Sequence, residues 1–376
     1  MYEFRSRYSP VFELPSARTD ILPFQSTKVK MRPERNGVNP NTTNKYGLTP
    51  LCIAAQKGRE KVVKTLLERG DVNPSTADNS GNTPLCSAAR AGHDVVVKML
   101  LERNDVNPNT TNEQGQTPLY VAAWKGREKV VKELLEREDV NPNTADNFGS
   151  TPLCIAAGEG HDVVVKMLLG RNDVNPNTAD KHGLTPLYMA AWKGHEAVLK
   201  ALLEEVNVDP NTVDKHSQTP LFTAANQGHE GIVKMLLERA DVNFNTPDED
   251  GGTPLFRATC EGHEEVVETL PEKLADVDPN IPDKHGQTPL FGDACEEHEG
   301  ILETLPEAVD VNSHMTDPAG ATPSPQALGR VDHAIMGSLS EREDLFPLSG
   351  GDKSTTLSSP KPPDLDQRSS KRVRRV

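Results

Sequence analysis

The chain has 376 residues, of which 35% are hydrophobic and 4% aromatic, and its formal net charge is −15. This composition argues against one large globular core. The chain has no long alternating runs of Val, Ile and aromatic residues, which argues against a large sheet. It has no apolar stretch of about 18 residues, which argues against a membrane-spanning helix. The N-terminus has no continuous apolar signal-peptide core, so we expect an intracellular, cytoplasmic protein, with the nucleus as an alternative.

The first 42 residues divide into two parts. Residues 1–28 have no helical or strand periodicity, and we expect them to be disordered. Residues 29–42, VKMRPERNGVNPNT, align with VKMLLERNDVNPNT, which begins at Val97, although Arg32 and Pro33 replace the Leu pair. We interpret residues 29–42 as the remnant of a degenerate repeat that covers the first complete one.

Residues 43–312 contain eight copies of one unit. Its Thr-Pro pair recurs every 34 residues and, after one inserted residue, an eighth time. The pairs begin at Thr49, Thr83, Thr117, Thr151, Thr185, Thr219, Thr253 and Thr288. Such a period is the signature of a repeat array, in which stacked neighbours bury a face that one unit cannot bury alone.

The unit predicts a pair of helices. In the first copy Thr49 is a suitable helix cap, Pro50 fits the first helical position, and Gly58 suits the left-handed residue that ends a helix. Two small residues, Ala54 and Ala55, allow close packing. The apolar stripe of a second helix then follows at Val62, Val63, Leu66 and Leu67, and the VNPNT segment turns the chain into the next copy.

The pattern G-x-TPLxxAAxxGHxxVVxxLLxx..DVN resembles the ankyrin-repeat family. This resemblance implies an all-α fold, in which paired antiparallel helices with projecting hairpin loops stack into a solenoid whose concave side binds proteins. The extra residue around VNPN is similar to a 34-residue variant common in filamentous fungi.

One position departs from the family pattern. The family usually has a His after Thr-Pro-Leu, which ties the hairpin to the helix. This chain instead has Cys52, Cys86, Tyr120, Cys154, Tyr188, Phe222, Phe256 and Phe291. We therefore expect apolar packing to replace the polar tie.

The last two copies are degraded, and a different kind of sequence follows them. Pro271 and Pro306 replace the second Leu of the second helix, where an interior proline costs about 3 kcal/mol. Residues 313–376 are rich in Ser and Pro and should be disordered. Their SGGDKST segment is not a phosphate-binding loop, because Asp352 occupies the place of the Gly before the Lys.

Charge is unevenly distributed. Acidic residues are concentrated in the last two copies, which argues against nucleic-acid binding by the array. The chain ends in a basic cluster, which has three possible roles. It could be a nuclear import signal, a charged terminus without a specific function, or a segment that binds the acidic last repeats. The cluster comprises Lys371, Arg372, Arg374 and Arg375.

The sequence predicts neither an enzyme nor a cofactor, metal or small-molecule site. Five histidines occupy one repeat position at the start of the second helix, where a catalytic group is not needed in every copy; we predict that they bond neighbouring repeats. They are His93, His161, His195, His229 and His263. The five cysteines form no metal-ligand spacing, which argues against zinc.

The family resemblance implies that the hairpin tips and the end of the first helix face a protein partner. The tips supply Tyr46, Phe148 and His182, and the helix ends supply Gln56, Arg90, Trp124, Lys125, Trp192 and Lys193. Trp and Arg are frequent binding hot spots. The central prediction is a concave patch on Trp124, Phe148 and Trp192. The two tryptophans are 68 residues apart in TPLYVAAWKG and TPLYMAAWKG, a spacing of roughly 20 Å if neighbouring layers are about 10 Å apart, which suits two anchors on one extended partner.

The sequence thus favours a non-enzymatic scaffold or adaptor that binds a protein partner. Two alternatives stay open: the repeat fragment of a larger fungal nucleotide-binding immune-type receptor, and a purely structural spacer. A contiguous upstream reading frame with a phosphate-binding loop would favour the first. A spacer would have no partner that depends on concave-face side chains.

Overall fold

A computed structural model describes residues 39–273, 277–289 and 301. The predictions for residues 1–28, for 29–38 of the repeat remnant, for Pro306 and for the tail at 313–376 lie outside these residues. Compact packing divides the chain into two units, one up to Lys181 and the other from His182, and each unit is described by itself.

In the first unit the described residues form four stacked helix pairs. The first helices of the pairs, α1, α3, α5 and α7, pack side by side in one layer, and the second helices, α2, α4, α6 and α8, pack in another. The bounds are α1 Pro50–Gln56, α2 Glu60–Leu67, α3 Pro84–Ala91, α4 Asp94–Leu101, α5 Pro118–Trp124, α6 Glu128–Leu135, α7 Pro152–Gly158 and α8 Asp162–Leu169.

The second unit repeats this arrangement with three described pairs. Here α9, α11 and α13 form the layer of first helices, and α10, α12 and α14 form the layer of second helices. The bounds are α9 Pro186–Lys193, α10 Glu196–Leu203, α11 Pro220–Asn226, α12 Glu230–Leu237, α13 Pro254–Cys260 and α14 Glu264–Lys273. The predicted all-α fold of stacked helix pairs is confirmed. Helix α14 continues through Pro271, so this proline does not end the helix.

The predicted helix signals act as expected. The Thr49 hydroxyl accepts a hydrogen bond of 3.1 Å from the Cys52 amide at the start of α1, where Pro50 needs no donor. Gly58 takes φ +61°, and the His93 ring lies 2.6 Å from where a Cβ would stand. Glycine is therefore required for two reasons: the backbone is left-handed here, and any side chain would collide with the His93 ring.

The predicted apolar stripe of the second helix is correct except at one residue. Val63 and Leu66 are buried, whereas Val62 is 41% exposed. The equivalent residues in the next two copies, Val96 and Val130, are 0% exposed. They have a preceding repeat packed over them, while Val62 belongs to the first complete repeat.

The VNPNT turns join successive repeats by hydrogen bonds. Arg103 pairs with Asp105 and also donates to the Leu67 carbonyl of the preceding repeat at 2.9 Å. The Asn109 amide donates to the Asp139 carbonyl of the following repeat at 2.6 Å. The bond to Leu67 satisfies a carbonyl group that the end of α2 leaves without a partner.

Candidate functional site

In each unit, the hairpin tips and the ends of the first helices make up what we call the hairpin–helix face. In the first unit it includes Tyr46, Gln56, Arg90, Trp124, Lys125 and Phe148, and in the second unit His182, Trp192 and Lys193. The nine residues predicted from the sequence as partner-binding thus divide between two compact units, and the geometry of each group is given separately.

The hairpin tip that carries Phe148 is held by its own aspartate. One carboxylate oxygen of Asp146 accepts hydrogen bonds from the Phe148 and Ser150 amides, each at 2.9 Å. Gly149 takes φ +87°, which lets the turn close tightly. The Phe148 ring remains 47% exposed. A rigid turn therefore presents an apolar side chain to solvent.

Tyr46 lies on an equivalent tip. Asn44 accepts hydrogen bonds from the Tyr46 and Leu48 amides at 2.9 and 3.0 Å, and Gly47 takes φ +76°. The tyrosine is 37% exposed, and the Lys45 ammonium lies 4.8 Å from its ring centroid. Successive hairpins are linked as well, because the Asn79 amide donates to the Tyr46 carbonyl at 3.1 Å.

Trp124 ends helix α5 and is half-buried. The Lys125 ammonium lies 3.8 Å from the centroid of its ring, which is a close cation–π contact. The Trp124 carbonyl is 3.1 Å from Nε2 of His161 in the following repeat. The indole therefore projects from a backbone that the next repeat holds in place.

Trp192 has the same local geometry in the second unit. It lies in the last turn of α9, is half-buried, and has the Lys193 ammonium 4.0 Å from its ring centroid. Its carbonyl is 3.1 Å from Nε2 of His229. His182, on the hairpin of this repeat, is half-buried and accepts the Lys215 amide at its carbonyl at 2.9 Å.

In the first two repeats, the position equivalent to Trp124 is occupied by Gln56 and Arg90. These two side chains differ in how accessible they are to a partner. Gln56 is exposed. Arg90 is half-buried and donates to the Asn82 side-chain oxygen at 3.0 Å, and Asn112 donates to the same oxygen at 3.1 Å. Arg90 thus turns towards its own hairpin and has a structural contact that the sequence pattern did not indicate.

The expectation that apolar packing replaces the polar tie is wrong at two repeats. The Tyr120 hydroxyl donates to the Asp146 carboxylate at 2.9 Å, and the Tyr188 hydroxyl donates to Asp214 at 3.2 Å. Burial, followed by the nearby carboxylate, raises the pKa of both phenols well above the ordinary range. A phenol is long enough to reach the next hairpin, which begins with Asp in both cases. That pairing of Tyr with a downstream Asp was the signal in the sequence.

A buried ion pair in the seventh repeat was also missed. Arg257 and Asp248 are 7% and 5% exposed, with 2.9 Å between guanidinium and carboxylate. Arg257 occupies a position where other repeats have apolar residues such as Val121. Because the unpaired charge would be expensive to bury, the pairing explains how this repeat tolerates arginine.

The prediction that the recurrent histidines bond neighbouring repeats is confirmed at four positions. Nε2 of each lies 3.0–3.2 Å from a carbonyl of the preceding repeat, the residues being His93, His161, His229 and His263.

Burial raises the pKa of Cys86 to about 11 and of Cys154 to about 12, which keeps these thiols protonated.

The described part of the chain contains neither a metal-binding cluster nor a membrane-spanning helix. No group of three or more His, Cys, Asp or Glu residues there could hold a metal ion. No described helix is long and apolar enough to cross a membrane. The basic cluster at residues 371–375 lies outside the described residues, so nuclear import through it stays a prediction.

Comparison with known proteins identifies the repeats. A family model described as ankyrin repeats (3 copies) matches residues 28–112, 77–146, 138–214, 198–283 and 221–317. Together these matches span most of the chain, from residue 28 to residue 317. No curated protein matches the chain.

Proposed function

Because this chain belongs to the ankyrin-repeat family, we propose that it is a non-enzymatic scaffold or adaptor that binds a protein partner on its hairpin–helix face. One observation carries the proposal: Trp124 and Trp192 are half-buried rather than core residues, and each projects from a helix end whose carbonyl lies within hydrogen-bonding distance of a histidine of the next repeat. Other repeats have Gly158 or Asn226 at the same position.

The energetics of recognition support this assignment. A half-buried indole on a rigid helix end loses little conformational freedom when a partner covers it, and it offers a large contact area. Phe148 adds an exposed ring on the same face of the first unit. Truncation of such anchors costs about 2 kcal/mol or more of binding free energy in typical interfaces.

The proposal includes no catalytic step. The histidines that recur in the sequence are used to bond neighbouring repeats, and the thiols of Cys86 and Cys154 have pKa values raised by burial to about 11 and about 12. A buried thiol that stays protonated is a poor nucleophile. These groups therefore serve packing, and the hairpin–helix face is left for binding.

We also infer that the array does not bind nucleic acid. The seventh repeat exposes Glu249, Glu261, Glu264, Glu265 and Glu268, and such a surface repels a phosphate backbone. The cytoplasm, or the nucleus if the terminal basic cluster acts in import, is the compartment that this proposal assigns.

Affinity capture followed by mass spectrometry tests the function. The double variant Trp124→Ala/Trp192→Ala should lose a cellular partner that the wild-type chain captures, while its circular dichroism stays unchanged. A matched control is Val95→Ala/Val206→Ala, which removes one exposed apolar side chain from each unit away from the hairpin–helix face; the two valines are 41% and 96% exposed. Equal capture by all three proteins would contradict the proposal, and unfolding of the tryptophan variant would identify the indoles as core.

A further inference from the structure

Each tryptophan belongs to a larger set of residues that recurs as a block. Among the eight copies, only the third and fifth have Trp, and only these two also have Tyr after Thr-Pro-Leu. The phenol and the indole therefore occur together, 68 residues from their counterparts. We call the block around Trp124 the first module and the block around Trp192 the second module.

The hydrogen bonds of the first module join its helix end to the following hairpin. Tyr120 and Trp124 are both on α5, and the Tyr120 hydroxyl donates to Asp146. The other oxygen of Asp146 accepts the Phe148 amide. His161, which follows on the same repeat as Phe148, lies 3.1 Å from the Trp124 carbonyl. Trp124 and the Phe148 tip are thus fixed to one hydrogen-bonded frame within the first unit.

The second module has the same connections in the second unit. The Tyr188 hydroxyl donates to Asp214, whose other oxygen accepts the His216 amide at 2.8 Å. His229 lies 3.1 Å from the Trp192 carbonyl. The tip residue differs, since His216 replaces the phenylalanine and bonds Glu249 at 2.8 Å. The frame is therefore duplicated, while the tip is specialised.

The charge in each module indicates the chemistry of its ligand. Lys125 and Lys193 lie over the indole rings, and within the described residues neither ammonium forms an ion pair or a hydrogen bond. Some lysines on the second helices, by contrast, are paired with carboxylates, as in Lys166–Asp162 and Lys132–Glu136. An ammonium has three donors, so a ligand carboxylate can bind it while an adjacent apolar side chain packs on the indole.

We propose that the two modules are equivalent docking sites, each of which binds a short segment with an acidic residue next to an aromatic or aliphatic one. This inference rests on the proposed function. The partner then contains two copies of the segment, or binds as two molecules. Phe148 makes the first module the more apolar of the two, so a second apolar residue in the same segment should add affinity there.

A phage library of random 12-residue peptides tests the proposal, with the full chain as bait and Trp124→Ala/Trp192→Ala for counter-selection. The enriched peptides should have Asp or Glu beside Leu, Ile, Phe or Trp. Native mass spectrometry with one synthetic selected peptide should show two peptides per wild-type chain, one on Trp124→Ala, one on Trp192→Ala and none on the double variant.

The contribution of charge and frame is measured on the same peptide. Replacing the acidic residue of the peptide with the corresponding amide should weaken binding about tenfold. In the Trp192→Ala variant, which keeps only the first module, the added substitution Lys125→Gln should abolish this difference between the two peptides. Tyr120→Phe, also in the Trp192→Ala variant, should weaken binding several-fold without changing the stoichiometry. The substitution removes the hydrogen bond to Asp146 that fixes the module but leaves the indole intact.

Several results would overturn the inference. One peptide per wild-type chain, selected peptides without acidic residues, or loss of both sites in a single tryptophan variant would each contradict two equivalent modules. If no peptide is enriched, short docking segments are excluded, and the cellular capture described above decides separately whether a folded partner uses the tryptophans. Failure of the inference is thereby distinguished from failure of the proposed function.

Discussion

The first helices of the third and seventh repeats are each tied to a hairpin, by different chemistry on the same backbone. In the third repeat Val121 is fully buried and Tyr120 reaches forward to the hairpin of the next repeat. In the seventh, Arg257 replaces the valine and binds back to Asp248 of its own hairpin at 2.9 Å. The side chain that begins each hairpin, Asn112 or Asp248, accepts two turn amides in both cases.

The two repeats show which parts of the unit are interchangeable. The turn needs an acceptor at its first residue, and both Asn and Asp supply one. The buried position beside it can be apolar, or it can hold a cation, but a cation requires that the hairpin acceptor be a carboxylate. The two residues therefore form a coupled pair, and exchanging one member between repeats should be far more harmful than exchanging both.

The largest effect is expected from placing the arginine in the wrong repeat. Val121→Arg puts a guanidinium at a position that is 0% exposed, next to Asn112, which has no charge to offer. An unpaired buried charge and overpacking together should lower the free energy of unfolding by more than about 4 kcal/mol. Urea titration followed by circular dichroism measures the loss.

The double variant Val121→Arg/Asn112→Asp sharpens this result. It rebuilds the pair of the seventh repeat and should recover at least about 1 kcal/mol relative to Val121→Arg alone. If the added carboxylate recovers nothing, the pairing of Arg257 with Asp248 is not what allows arginine at that position.

The reverse exchange should have a smaller effect. Arg257→Ala leaves the Asp248 carboxylate buried without its cation and should cost about 3 kcal/mol of unfolding free energy. Arg257→Val/Asp248→Asn copies the pair of the third repeat and should cost less than about 1 kcal/mol, since an apolar and a neutral group replace both charges. The two urea midpoints should therefore differ clearly; equal midpoints would show that Asp248 does not need a cation.

Most of the scaffold was predictable because its signals are local. The Thr49 cap, the left-handed Gly58 and the bonding of His93 depend on residues within one copy or on its immediate neighbour. The helix pairs and their stacking follow from the period itself. A local rule repeated eight times leaves few alternatives for the fold.

The missed features all depend on side chains that reach another element. Arg90 turns to Asn82, the Tyr120 hydroxyl crosses to the next hairpin, and Arg257 finds a carboxylate nine positions earlier. Side-chain reach and the identity of the acceptor must be considered together, and position within the repeat does not contain that information. Lys125 and Lys193 were predicted as binding residues, but their contacts with the indole rings depend on side-chain conformations that the sequence pattern does not specify.

The smallest of the three effects concerns the forward tie of the third repeat. Tyr120→Phe removes a hydrogen bond to a carboxylate whose other oxygen still holds the Phe148 and Ser150 amides. The expected loss at pH 7 is about 1–2 kcal/mol of unfolding free energy. Tyr188→Phe should cost a similar amount in the second unit, because its hydroxyl has the same acceptor type.

Alkaline pH tests whether the buried site of Tyr120 keeps its phenol protonated in the folded chain. Burial raises the pKa of Tyr120 in the folded chain, whereas in the unfolded chain the phenol titrates near its ordinary pKa of about 10. Below about pH 10 both states keep the proton, and the contribution of Tyr120 is complete; above it the unfolded state loses the proton first, so stability falls as pH rises. The wild type should therefore lose more stability between pH 9 and about pH 11 than Tyr120→Phe does, as measured by urea titration at both values. Parallel losses in the two proteins would mean that the buried site does not hold the Tyr120 phenol protonated in the folded chain.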